Sequence, residues 1–258
     1  FSEFLAPYGV NEIAVGPRLS SSSWQHWMGV DHLGRDVLSR IIFGARLSVI
    51  IGLAATSVSI VVSTALGIIT GFIGGKLDLV VQRFVDAWIS FPGLLVLIVM
   101  VTIVGPGTLQ VVIVLGILYG IGGSRIVRSA VLGIKENDYL LAAQAIGTPT
   151  SKTLLWHILP NIMAPVIVLF TTRVPSMILY EATLSFLGLG IPPPAASWGR
   201  MLSMEGRRYM VRVPMLAIWP GAALSIVVYG VNMFGDAVRD LLDPRLRGAG
   251  GRYSGKAK

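Results

Sequence analysis

The sequence predicts an all-α, polytopic transmembrane helical bundle, and three observations carry that prediction. Of 258 residues 53% are hydrophobic and only 13% are charged, with a mean hydropathy of +0.73. A soluble domain of this size lacks the polar surface to wrap so large an apolar interior. Uncharged runs at 47–75, 87–124 and 213–235 are each long enough to cross a hydrocarbon core of about 30 Å. Short charged or turn-rich segments separate them, as connections at membrane surfaces do. The formal charge of +8 then belongs to loops facing lipid headgroups and protein partners rather than to nucleic acid. The absence of cysteine excludes disulfides and thiolate metal sites.

Residues 1–46 form a mixed segment containing Pro7, Gly9, Pro17, Trp24 and Trp27, then Gly29, Asp31, Gly34, Arg35 and Asp36. From Val37 to Arg46 the pattern reads as an amphipathic interfacial helix. The first span follows at 47–75, where Ser63, Gly67 and Gly71 fall four apart and offer a face for close helix packing, within the subunit before between subunits. Lys76 to Asp86 reads as a short charged loop. The run 87–124 is broken at Gly105, Pro106 and Gly107, so it reads as two spans in a tight hairpin. Pro92 is expected to kink the first arm, and Gly116 with Gly120 to pack the second. After the loop at 136–152 a bent span is expected over about 155–184, containing Pro160, Pro165 and Pro175. An outer loop at 185–212 and a last span at 213–235 complete a transmembrane domain of 47–241, ahead of a basic tail at 242–258. That makes five spans in all.

The chain is organised around residues 136–147. Asn137 or Asp138 can cap a helix, Glu136 and Asp138 suit its positive end, and Gly147 before Pro149 ends it. Such a helix of two or three turns is too short to span a membrane and too apolar on one side to stand bare in water.

Several motifs point to a known family. Ala142, Ala143, Gly147, Leu159 and Pro160, at their spacing, resemble the EAA loop of ABC-importer permeases; Leu141 stands where that motif has Glu, and His157 where it has Ile. The segment from Gly29 to Asp36 resembles a family signature, with Val30 in place of Thr. The run Ser185 to Gly190, the triplet Ser197, Trp198, Gly199, and the segment from Gly235 to Pro244 resemble hallmarks of dipeptide/oligopeptide permeases. The resemblance implies a type I ABC-importer permease with a sixth, N-terminal span ahead of Phe1. It implies a second homologous permease, two ATP-binding subunits holding ATP and Mg, and an extracytoplasmic substrate-binding protein. It implies dipeptides or oligopeptides as cargo, with nickel, glutathione and some sugars carried elsewhere in the family. In such proteins the short helix docks on an ATPase, so Asp138, Tyr139, Leu140, Ala142, Ala143, Ile146 and Gly147 become the expected coupling residues.

Charge distribution gives a sidedness. Five spans place 1–46 and the tail on opposite sides. Twelve lysines and arginines fall on the side of the central loop and eight on the other, Arg173 being left out. The positive-inside rule makes the central-loop side cytoplasmic.

No enzyme is legible. Gly71 to Lys76 is one residue short of a phosphate loop, and Leu77 replaces the needed hydroxyl residue. His26 and His32 give a weak metal signal and read as polar loop surface. Arg173, about 20 Å along its helix from Pro160 at 1.5 Å per residue, is the one cation within a span. It is expected to line the pathway and attract a peptide carboxylate, to pair with the second permease, or to snorkel outward. Glu181 is the other tentative pathway residue; it lies about 80° around the helix from Arg173, so no direct pair is expected. Arg200, Arg207, Arg208 and Arg212 sit in the outer loop, to dock a binding protein, guard the mouth or meet solvent. A stand-alone channel or an ion-coupled carrier is the rival reading, but a carrier usually shows internal repeats and acids near the midplane, and neither is apparent.

Overall fold

A computed structural model describes residues 2–242, apart from the side chains of residues 144, 204 and 205. Seven longer helices organise these residues: α1 (Val37–Ile73), α2 (Gly75–Ser90), α3 (Gly93–Val104), α4 (Thr108–Ile134), α5 (Asp138–Ala145), α6 (Met163–Phe186) and α7 (Met215–Leu242). Four of them, α1, α4, α6 and α7, are long and apolar enough to cross a membrane, and α2 with α3 makes a fifth span if that bent pair counts as one. The predicted tail, apart from Leu242, lies outside the described residues, as do Asp243 and Pro244 of the last motif.

Three boundaries differ from the sequence reading. Val37 to Arg46 is not a separate interfacial helix. It is the first part of α1, whose 37 residues make a rod of about 55 Å. Its start is fixed by Asp36, whose carboxylate accepts the backbone N–H of Ser39 at 2.8 Å. Residues 76–86 are not a loop but most of α2. Asp78, Gln82 and Asp86 recur every four residues, so a helix gathers them on one face toward the arginines of α4. Asp78 takes a two-pronged bond from Arg128 (2.7 and 2.6 Å), and Asp86 pairs with Arg125. Trp88 Nε1 donates to the Leu118 carbonyl at 3.2 Å and holds the far end of α2. The third difference lies near Pro160: residues 150–161 form a separate run with a π-helical middle, Thr153–Ile158, and α6 begins only at Met163. The break at Ile162 removes Pro160 from the span and leaves Pro165 in its first turn, where a missing N–H costs nothing.

The kink expected at Pro92 is present, and it is larger than a kink. The chain turns by 93° between α2 and α3. Proline cannot donate the helical bond and biases Phe91 to an extended conformation.

Small residues set the packing. A methyl added at Gly120 would stand 2.7 Å from Val62 Cβ, and one at Gly67 2.8 Å from the Ser124 carbonyl oxygen. The helices α1 and α4 therefore run side by side in the same direction, backbone close to backbone, within one subunit. Ser63 Oγ seals the contact by donating to the Gly120 carbonyl at 2.8 Å. Helix α6 runs antiparallel to α1, with Ile178 against Gly52, and α7 antiparallel to α6, with Gly235 against Thr171. Apolar side chains fill the half away from α5 around Ile51, Leu115 and Met177, and the half nearer α5 around Ile68, Val131 and Ile158.

Candidate functional site

The short helix α5 hangs between α4 and the 150–161 run, at the end of the bundle where α7 also finishes. Asn137 occupies its N-cap position, its carbonyl accepting from Leu140 and Leu141 at 2.9 and 3.2 Å. At the other end Gly147 adopts φ +76°, the left-handed conformation that only glycine enters without strain. That turn lets the Thr148 N–H reach back to the Ala143 carbonyl at 3.0 Å, the long bond of a Schellman cap. The end of α5 is thus a fixed corner, and the chain leaves it toward Pro149.

The structure divides the seven expected coupling residues. Leu140 is fully buried and belongs to the apolar cluster of Val131, Ile158 and Ile162; Ala143 is buried beside it. These two, three residues apart and so on one face, anchor the helix to its own subunit. This corrects their assignment to the outer contact face. Asp138, Tyr139, Ala142, Ile146 and Gly147 remain exposed, Ile146 at 82%. Leu141, absent from the sequence assignment, is 51% exposed on the same side. The signal for it was available: with Leu140 and Ala143 turned inward, Leu141 must turn outward at 100° per residue. Leu140→Ala is expected to loosen the anchor by about 2–3 kcal/mol, read as faster proteolysis within 136–150, whereas Leu141→Ala leaves that rate unchanged.

Arg173 and Glu181 are both turned into the bundle. The guanidinium of Arg173 donates to the Tyr119 carbonyl and to Ser59 Oγ (3.3 Å), tying α6 to α4 and α1. It does not pair with Glu181. Glu181 is 0% exposed, and its carboxylate accepts from Ser48 Oγ at 3.0 Å and Ser185 Oγ at 2.8 Å. A residue without accessible surface does not line a pathway in this conformation, so Glu181 is corrected to a brace between α1 and α6.

The motifs at 29–36, 185–190 and 197–199 belong to the opposite end of the bundle, whereas the described part of the Gly235 to Pro244 motif closes α7 at the α5 end. Trp198 is buried and donates to the Ile41 carbonyl at 3.1 Å. Gly199 lies against the backbone of Ala182, where a side chain has no room. Within 29–36, Asp31 Oδ1 accepts from the backbone of Leu33 (2.8 Å) and Arg35 (2.9 Å), and its Oδ2 meets Arg35 Nε at 2.6 Å. His26 is buried rather than part of a polar surface, with Nδ1 3.0 Å from Asp36 and Nε2 3.2 Å from the Val15 carbonyl. These signatures are packing and capping devices, and the exposed face of α5 is the part left to meet something else.

Comparison with known proteins gives the family. Residues 63–248 match the family model described as binding-protein-dependent transport system inner membrane component. The chain is 37% identical over 247 residues to the dipeptide transport system permease protein DppC of Alkalihalophilus pseudofirmus, covering 96% of this chain and 81% of that one. It is 40% identical over 225 residues to the oligopeptide transport system permease protein OppC of Bacillus subtilis (87% and 73% covered). It is 38% identical over 248 residues to the glutathione transport system permease protein GsiD of Pectobacterium atrosepticum (96% and 82% covered). Among solved structures, an inward-facing MetNI methionine ABC transporter superposes with a TM-score of 0.62 at 19% identity, covering 80% of this chain and 96% of that one. That likeness speaks for the fold alone, the type I ABC-importer permease fold. With the helical bundle, its glycine-packed core and its short outward-facing helix in view, the chain belongs to the family of binding-protein-dependent transport system inner membrane components.

Proposed function

We propose that this chain is a non-catalytic permease subunit that forms half of the pathway of an ATP-driven importer and takes its energy from ATPase subunits through α5. The carrying observation is the division of α5: Leu140 and Ala143 are rooted in the subunit's own core, while Tyr139, Leu141 and Ile146 stand outside it. Exposed apolar side chains on a short helix at the bundle's end call for a protein cover. A rooted helix also passes a push from that cover into α4 and the 150–161 run, the requirement for rocking the bundle between two states. In this reading α5 and the tail are cytoplasmic, and the 1–46 and 185–212 segments face outward. A second permease completes the pathway, two ATPases bind the ATP and Mg, and an extracytoplasmic binding protein delivers cargo.

Dipeptides or oligopeptides are the proposed cargo, following the relatives that align along most of the chain. Glutathione is the second reading, because GsiD relatives align as fully. Mass spectrometry of what co-purifies with the binding protein separates the two. For the coupling role, Ile146→Asp places a charge on the outer face without touching the buried anchor. It is expected to lower ATP-driven uptake in proteoliposomes roughly tenfold, about 1.4 kcal/mol of lost coupling, with unchanged insertion. Wild-type uptake by that variant rejects α5 as the coupling surface.

A further inference from the structure

The helices α4 and α6 share a face of the bundle that Gly93 of α3 meets through Tyr119 and Arg239 of α7 borders. On that face α6 exposes Thr172 and Ser176 and half-exposes Tyr180, spaced four residues apart on one side of the helix. Tyr180 stacks on Tyr119 of α4, ring centres 4.4 Å apart and planes 18° from parallel. The Tyr119 hydroxyl in turn sits against Gly93, at the start of α3; a methyl there would lie 3.4 Å from it. Toward the α5 end the face deepens into an open cavity of about 480 Å³, bordered by Thr172, Ile126, Val168 and Arg239. Behind the tyrosines lies Arg173, fixed to the Tyr119 carbonyl.

A different exposed face provides the contrast. Between α1 and the start of α6 a groove of 580 Å³ is walled mostly by apolar side chains such as Val61, Ile68 and Leu155, with Thr64 and Ser151 as its hydroxyl residues. Such a face suits acyl chains or an apolar helix. Thr172 Oγ1 is satisfied by the Val168 carbonyl at 2.8 Å, but Ser176 and the paired tyrosines, backed by a guanidinium, suit water better than hydrocarbon, where an unsatisfied polar group costs free energy.

We infer that the face bearing Thr172, Ser176, Tyr180 and Tyr119 is this chain's share of the wetted translocation wall, with Arg173 biasing it toward solutes that carry an anionic end. The inference rests on the transporter reading and adds which surface meets the solute. Arg173 acts through its field from behind the wall, as the fixed charge of a narrow, low-dielectric passage does, and Arg239 adds a second cation at one mouth.

The sequence contains no cysteine, so a single introduced cysteine is its one thiol, and labelling is read on the band of this subunit after it is separated from its partners. In the assembled, reconstituted transporter, Ser176→Cys is expected to react with water-soluble methanethiosulfonates at least roughly tenfold faster than Val61→Cys in the apolar groove. The anionic sulfonatoethyl reagent should outpace the cationic trimethylammonium one, and Arg173→Met should remove that preference. Equal labelling of Ser176→Cys and Val61→Cys, with ATP-driven uptake by unlabelled Ser176→Cys intact, overturns the wall assignment while leaving the transporter reading standing. Faster labelling without anion preference overturns the role of Arg173. Absence of ATP-driven uptake in the unsubstituted assembly instead refutes the transporter reading itself.

Discussion

Gly147→Val is expected to leave the subunit inserted and ATP hydrolysis running while uptake falls by at least about tenfold. The reason is conformational. A methyl at this position meets nothing within 4 Å, so crowding plays no part. At φ +76°, however, a β-branched residue is strained by about 1–3 kcal/mol. The turn relieves that strain by leaving the left-handed region, which breaks the bond from Thr148 to Ala143 and swings Ile146 off its corner. Leu140 keeps the helix attached, so a grip is lost without loss of the fold. Gly147→Asn is the control: asparagine tolerates the left-handed region and should retain most of the uptake. Paired measurements of hydrolysis and uptake in proteoliposomes decide the matter. Normal uptake by Gly147→Val shows that the corner does not transmit.

The largest stability effect is expected from Asp36→Ala, far from the proposed coupling surface. One carboxylate oxygen of Asp36 faces His26, and the other accepts both the backbone N–H and the hydroxyl of Ser39 at 2.8 Å. Alanine removes the N-cap of α1 and leaves buried His26 and Ser39 without these bonds, a loss of about 3 kcal/mol or more. The expected readout is a lower thermal midpoint of the detergent-solubilised protein and new protease cleavage within residues 1–36. Asp36→Asn keeps an oxygen for the cap and should fall between alanine and wild type. An unchanged midpoint and cleavage pattern for Asp36→Ala removes the capping network from the account of this segment.

Much of the architecture was legible because the membrane imposes it. A segment without charge has few places to go, and an unpaired backbone in hydrocarbon must become helical. The broad spans, the hairpin turn at Gly105 to Gly107 and the close-packing role of Gly67, Gly71, Gly116 and Gly120 follow from composition and spacing. Charge misled where it was partnered. Lys76 to Asp86 reads as loop on polarity, yet Arg125 and Arg128 satisfy Asp86 and Asp78, and the segment is helical. The same holds for His26, polar by type and buried by its two partners.

At the candidate site the division of labour was the illegible part. In eight residues of α5 an apolar side chain can equally anchor inward or present outward, and the local sequence of Tyr139, Leu140 and Leu141 offers both. Arg173 and Glu181 posed the same ambiguity, since a charge in a span needs a partner and sequence does not show whether solute or protein supplies it. The sequence by itself determined an all-helical membrane permease, its family and the position of the short helix proposed for coupling, because hydropathy, glycine spacing and cap residues are local properties. Only the tertiary structure decided that Leu140 roots that helix, that Glu181 is sealed among serines and that Arg173 stands behind Tyr119. Those outcomes depend on which distant helices supply the neighbouring atoms, and burial is a property of the whole packing.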